Sequence, residues 1–120
     1  MAAIARHLTI HGHVQGVFYR GWAVENAREL GIVGWVRNRH NGTVEAIVQG
    51  EEASVEHFIA LARQGPPSAR VARIEVREVG PYDSLEGFRQ ERTVCAAFAQ
   101  GWYAIAAPRA ALEKIFRFIG

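Results

Sequence analysis

A stretch of nine residues combines two glycines with one arginine, and it runs Gly12-His13-Val14-Gln15-Gly16-Val17-Phe18-Tyr19-Arg20. Glycines let a loop point several backbone N–H groups into one concavity, and a helix that follows adds partial positive charge, so such a loop can bind phosphate. Arg20 would supply a full charge and a planar set of donors that matches phosphate oxygens. The same pattern also fits a tight turn followed by a solvated arginine. Because the loop lacks the Gly-Lys-Ser/Thr ending of nucleotide-binding P-loops, no nucleotide is implied.

The elements that must position this loop follow from the spacing of the apolar residues. Alternation of period two predicts strands, and recurrence at three and four residues predicts helices. The chain is expected to form a strand over 4–14, a helix over 21–30, strands over 32–36 and 43–48, a helix around 55–62, a strand over 71–79 and a short strand over 88–92. The pair Asn41-Gly42 predicts the turn of a hairpin between the second and third strands.

This order, β-α-β-β-α-β with a short extra strand, predicts a ferredoxin-like split α+β fold. In that fold two helices cover one face of an antiparallel sheet, and the other face meets solvent. The first and second strands run parallel, so the loop after strand one and the last residues of strand two lie at the same end of the sheet. Arg20 and Asn38 are therefore expected to be neighbours. Taken alone, Asn38 also fits a turn-forming residue before Asn41.

The loop closely resembles the acylphosphatase motif Gly-x-Val-Gln-Gly-Val-x-Phe-Arg, differing at Tyr19, where the family usually has Phe or Met. The segment Gly34-Trp35-Val36-Arg37-Asn38, continuing through Gly42, Val44 and Gly50, has the spacing of the second motif of that family. The resemblance covers about residues 5–92, and it identifies residues 1–92 as an acylphosphatase-like domain.

The resemblance implies hydrolysis of the carboxyl–phosphate bond of acyl phosphates to carboxylate and inorganic phosphate, without a metal or an organic cofactor. It assigns Asn38 to orienting the water and the Arg20 guanidinium to holding the phosphate, with inorganic phosphate as product and inhibitor. It also assigns phosphate binding to the backbone amides of Gln15, Gly16, Val17, Phe18, Tyr19 and Arg20. Acyl phosphates are activated mixed anhydrides, so binding, charge stabilisation and a positioned water suffice. A neutral amide suits this task, because it exchanges hydrogen bonds with water but takes no proton.

Composition argues against nucleic-acid binding, secretion and a transmembrane segment. A chain of 120 residues with half its residues apolar fits one globular domain, and a net charge of +2 is too small to indicate nucleic acid. The single cysteine, Cys95, forms no intramolecular disulfide and favours a reducing compartment. We expect a cytoplasmic protein without a signal peptide or transmembrane segment, since the longest apolar stretch, 94–107, contains Gln100 and Gly101.

Three histidines on the first strand, His7, His11 and His13, have a spacing compatible with metal binding. No cysteine or carboxylate lies near them in the sequence, so we expect an exposed polar face rather than a metal site. The tryptophans are expected to be core or interface residues; they are Trp22, Trp35 and Trp102.

Residues 93–120 extend past the resemblance. Apolar residues at Leu112, Ile115, Phe116 and Ile119 predict an amphipathic helix after Pro108. Its apolar stripe could pack on the exposed sheet face, on a second subunit in a homodimer, or on a membrane surface.

Two alternative functions stay open: a non-catalytic anion-binding or protein-interaction module, and the acylphosphatase-like domain of a carbamoyl-phosphate-processing maturation protein. The physiological acyl phosphate is not specified by these residues.

Overall fold

A computed structural model of the chain describes residues 3–93, so the predicted C-terminal helix and Trp102 lie outside the described residues. The elements are β1 (Ile4–His13), α1 (Tyr19–Glu29), β2 (Val33–Asn38), β3 (Val44–Gly50), α2 (Glu52–Gln64), β4 (Arg70–Val79) and β5 (Phe88–Gln90). The predicted order of strands and helices is confirmed, with boundaries that differ by at most three residues. Within residues 3–93, no helix is long and apolar enough to cross a membrane.

The five strands form one sheet in the order β4-β1-β3-β2-β5. The first four are antiparallel neighbours, whereas β5 pairs with β2 in parallel. The sheet is therefore mixed rather than wholly antiparallel. The reason is that the chain crosses from β4, one edge strand, to the opposite side of the sheet, where β5 runs in the same direction as its neighbour β2. Both β1 and β2 are antiparallel to β3, and β5 is parallel to β2. The carboxyl ends of β1, β2 and β5 therefore all lie at the same end of the sheet.

The core lies between the sheet and the two helices, as expected for this fold. The helix α1 packs on β2 and β5, and α2 packs on β4, β1 and β3. The rings of Phe58 and Phe88 meet at 6.1 Å between centroids, linking α2 to β5. Each fully buried apolar side chain of this kind stabilises the fold by about 1.5–3 kcal/mol. The residues of this core include Leu8, Ile10, Val36, Val44, Val48, Val55, Phe58 and Phe88.

The helix α1 begins at Tyr19, two residues earlier than predicted, so Arg20 belongs to its first turn. Tyr19 is buried, and its hydroxyl donates a 2.6 Å hydrogen bond to the carbonyl oxygen of Ala62 in α2. The Tyr19 ring thus takes the apolar position that the family motif gives to Phe or Met, and its hydroxyl has a partner. Burial raises the pKa of Tyr19, so this phenol stays neutral and serves as a hydrogen-bond donor.

The prediction that His7 belongs to an exposed polar face is wrong. His7 is 2% exposed, and its Nε2 lies 2.7 Å from Oε2 of the buried Glu45. The Nε of Arg37 donates to the other oxygen of Glu45 at 2.8 Å, and the Arg37 guanidinium lies 4.4 Å from the ring centroid of Trp35. Both oxygens of Glu45 thus have partners, which lowers the free-energy cost of burying this carboxylate on the helix-free face, whereas His7 Nδ1 is buried without a partner among the described residues.

The two later histidines of β1 differ from His7. His11 is partly exposed and His13 is exposed, in agreement with the prediction for that end of the strand. Among residues 3–93, no three His, Cys, Asp or Glu side chains come together in a group that could hold a metal ion. Trp35 is buried, and Trp22 packs against the core, as predicted for both.

Candidate active site

A cavity of about 130 Å³ lies at the end of the sheet where β2 and β5 end and α1 begins. Its volume corresponds to about four water molecules, which is enough for a phosphate-sized anion. Arg20 and Asn38 both line it, as the parallel arrangement of β1 and β2 predicted. The lining residues are Val14, Gly16, Phe18, Tyr19, Arg20, Gly21, Asn38 and Gln90.

The loop between β1 and α1 has two residues with left-handed backbone conformation, Gly16 with φ 75° and Phe18 with φ 65°. Such conformations turn successive N–H groups toward one side of the chain, as in backbone sites that bind anions. The side chain of Gln15 fixes the loop, because its Nε2 donates to the carbonyl oxygens of Arg39 at 2.7 Å and Thr43 at 2.8 Å. This connection to the β2–β3 hairpin was not predicted, since it joins residues 24 and 28 positions apart.

Arg20 lies in the first turn of α1, where the unpaired N–H groups of the helix give partial positive charge. The first turn contains no acidic residue. Among the described residues, the Arg20 guanidinium has no carboxylate partner. No carboxylate of residues 3–93 therefore neutralises this charge, which suits it to an anion in the cavity.

Asn38 is the last residue of β2, and its Oδ1 is buried without a hydrogen-bond partner among the described residues. A buried acceptor that lacks a partner costs about 1–3 kcal/mol, so this oxygen is well suited to accept a hydrogen bond from a molecule in the cavity. The turn itself is held by Asn41, whose Oδ1 accepts hydrogen bonds from Thr43 N at 3.1 Å and Thr43 Oγ1 at 2.7 Å. The alternative of Asn38 as a turn former therefore finds no support in the hydrogen bonding.

Gln90, the last residue of β5, lines the cavity and was missed in the sequence. Its Cα lies opposite that of Val36 in the parallel pairing, two residues before Asn38 along β2. The strand is fixed on either side of Gln90 by hydrogen bonds from Gly34 N to Gly87 O at 2.9 Å and from Glu91 N to Val36 O at 2.8 Å. A short strand was predicted here, but its parallel register beside β2 has no local sequence signal.

The described lining residues set the chemistry that this cavity can perform. They include one guanidinium and two carboxamides, from Arg20, Asn38 and Gln90, but no carboxylate, imidazole or thiol. Such a set binds an anion and orders a water molecule, while it offers no strong base or protein nucleophile. It suits a substrate whose phosphoryl group is already activated.

Comparison with known proteins shows that most of the chain matches one protein family. Residues 6–90 match the family model described as Acylphosphatase. A protein named acylphosphatase from Acidovorax sp. (strain JS42) is 54% identical over 93 residues, which make up 78% of this chain and 95% of that protein.

Solved structures agree with this match. An acylphosphatase structure from Coxiella burnetii superposes with a TM-score of 0.71 at 35% identity, covering 74% of this chain and 93% of that one. Full-length HypF in a phosphate- and nucleotide-bound form gives a TM-score of 0.73 at 31% identity, covering 79% of this chain. The matched region is only 12% of HypF, so the likeness concerns a small part of that larger protein.

Proposed function

Because this chain belongs to the acylphosphatase family and hydrolyses acyl phosphates, we propose specific roles for its cavity residues in that reaction. Arg20 and the backbone amides from Gln15 to Arg20 hold the phosphoryl group, and Asn38 orients the attacking water. The observation that supports this assignment is the position of Arg20 and Asn38 in the lining of one cavity.

Phosphate binding uses three sources of positive potential. The loop presents backbone N–H groups, α1 contributes the partial charge of its N-terminus, and Arg20 contributes a full charge with several donors. These groups are fixed before substrate enters, so little reorganisation is needed as charge develops in the transition state. Gln15 supports this preorganisation by tying the loop to the β2–β3 hairpin.

Asn38 acts on the water. Its Oδ1 accepts one water hydrogen, which directs a lone pair of the water toward phosphorus. A new P–O bond forms from the water, the P–O bond to the carboxyl group breaks, and its electron pair leaves on the carboxylate oxygen. One water proton passes to a phosphoryl oxygen of the substrate, so an acyl phosphate dianion and water yield carboxylate and dihydrogen phosphate. No protein group has to become protonated in this scheme.

The proposal is tested with the purified full chain and two substrates, acetyl phosphate and benzoyl phosphate. We expect turnover of both with a chelator present and no metal added, and competitive inhibition by inorganic phosphate. Turnover no faster than in buffer alone would contradict catalysis. Phosphate binding measured by calorimetry without turnover would instead favour the non-catalytic anion-binding module.

Two further parts of the proposal concern the molecule in the cell. We place the protein in the cytoplasm, on the basis of its single cysteine, and fractionation of cells that produce it tests this location. We also propose that the apolar stripe of residues 93–120 is covered by protein, by the domain itself or by a second copy in a homodimer. Light scattering of the full chain distinguishes these two arrangements by mass.

A further inference from the structure

Phe18 is a large apolar side chain that the fold leaves exposed beside the phosphate-binding loop. It is 64% exposed, and it lines the same cavity as Arg20 and Asn38. Single exposed apolar residues are common on protein surfaces, so exposure alone has no functional meaning. The backbone conformation of Phe18 and the position of its ring distinguish it from such residues.

The backbone of Phe18 has φ 65° and ψ 22°, which is the left-handed helical region. This conformation is strained for a bulky residue, whereas glycine adopts it freely. The ring lies against Gly21 in the first turn of α1, where an added Cβ would collide with three ring carbons. Gly21 therefore provides the space that holds the Phe18 ring at the rim of the cavity.

The size of the cavity and the geometry of displacement determine where the acyl group lies. In-line displacement puts the attacking water and the leaving group on opposite sides of phosphorus. Asn38, assigned to the water, lies at the end of β2, whereas Phe18 belongs to the loop before α1, and both residues line the cavity. The cavity of about 130 Å³ has room for a phosphoryl group, so the acyl group of a bound substrate extends out of the cavity, where the exposed Phe18 ring lies.

We propose that the ring of Phe18 binds the acyl group of the substrate and gives the enzyme a preference for acyl phosphates with a flat aromatic acyl group. This inference rests on the proposed function of the same cavity. The fixed ring stacks on an aromatic acyl group, while the methyl group of acetyl phosphate is too small to cover it. Stacking of two aromatic rings corresponds to about a 2- to 10-fold gain in binding to the transition state.

The experiment compares kcat/KM for benzoyl phosphate and acetyl phosphate in the full chain. The ratio of the two values in each variant, relative to the same ratio in the wild type, removes the intrinsic difference in leaving-group reactivity. Phe18→Leu and Phe18→Gly should lower this ratio about 2- to 10-fold, and Phe18→Tyr, which keeps the ring, should preserve it. Val76→Ala removes apolar surface from another exposed residue, on β4 away from the cavity, and should leave the ratio unchanged.

Phe18→Gly separates loss of the ring from a change in loop conformation, because glycine adopts the left-handed conformation without strain and keeps the backbone N–H. The inhibition constant of inorganic phosphate should stay within about twofold of the wild-type value in this variant, since the backbone N–H assigned to phosphate is retained. Equal losses for both substrates, or no loss for either, would overturn the proposal. Absence of turnover of both substrates by the wild type would contradict the proposed function itself.

Discussion

Two asparagines in the β2–β3 hairpin have different environments, and this difference separates a structural side chain from a candidate functional one. The Oδ1 of Asn41 is committed to Thr43, whereas that of Asn38 is buried and has no partner among the described residues. Residue type alone left both asparagines open to a role in the turn. The distinction depends on which one faces the cavity, and this is set by the register that pairs Asn38 with Val44.

Replacing Asn38 tests its role in orienting the water. We expect Asn38→Ala to lower kcat about 100-fold with little change in KM, because removal of one positioned polar group of this kind mainly affects the transition state. Asn26→Ala is the matched control, since the Nδ2 of Asn26 donates to the Trp22 carbonyl oxygen within α1 and is absent from the cavity lining. Steady-state kinetics with benzoyl phosphate measure both variants. An unchanged kcat in Asn38→Ala would remove the assigned role.

Replacing Arg20 should give a different kinetic pattern. Arg20→Ala is expected to lower kcat and to raise both KM and the inhibition constant of inorganic phosphate, each by about 100-fold or more, because the guanidinium contacts the phosphoryl group throughout the reaction. Arg20→Lys keeps the charge without the planar set of donors and should recover only part of the loss. Arg63→Ala, at the exposed end of α2, controls for the loss of one positive charge. Phosphate inhibition that stays at the wild-type level in Arg20→Ala would exclude Arg20 from phosphate binding.

At the level of the elements, periodicity predicted the strands and helices because their apolar spacing is local. Two features were not predictable in this way. The parallel entry of β5 beside β2, which brings Gln90 to the cavity, depends on long-range pairing. The ion cluster on the helix-free face joins His7 to Glu45 across 38 positions of the chain, so β1 alone gave no sign that the histidine is buried with a carboxylate.

Glu45 links β1, β2 and β3 through His7 and Arg37, and removing it should destabilise the sheet. We expect Glu45→Ala to lower the free energy of unfolding by about 3–5 kcal/mol, because it leaves the buried Arg37 charge without this carboxylate. Glu75→Ala, at an exposed pair with Arg73, should have little effect. Urea unfolding followed by fluorescence measures the difference. Equal stability of the two variants would show that the cluster adds nothing to the fold.

The same residue predicts a dependence of stability on pH. Burial in itself raises the pKa of Glu45, but hydrogen bonds from His7 and Arg37 and the charge of Arg37 outweigh it and hold that pKa below its ordinary value of 4.5. A carboxyl whose pKa is lower in the folded state stabilises the fold above the unfolded pKa, and the stabilisation is lost as pH falls through the folded pKa. Unfolding free energy should therefore decrease below about pH 4.5 in the wild type, and less steeply in Glu45→Gln. Parallel pH profiles for the two proteins would contradict this assignment.

For the molecule as a whole, the described lining of the cavity comes from four parts of the domain. The loop, α1, β2 and β5 all contribute to it, and the family match over residues 6–90 includes each of them. The cavity residues Asn38 and Gln90 follow the helix-facing residues Val36 and Phe88 at the two-residue spacing of a strand, so they share that face of the sheet. The chemistry thus depends on the packing of α1 on the sheet rather than on the helix-free face with its buried ion cluster.

This arrangement leads to a prediction for a chain that ends at Thr93. We expect it to fold and to keep kcat/KM within about threefold of the full chain, because every residue assigned to substrate lies in the retained part. Activity, urea unfolding and light scattering are measured on both proteins in parallel. A lower unfolding free energy with an unchanged number of copies per particle would assign residues 94–120 to the domain surface, and a change from dimer to monomer would assign them to contact between two copies. Loss of turnover in a truncated chain that still folds would show that the extension takes part in the active site, contrary to the cavity described above.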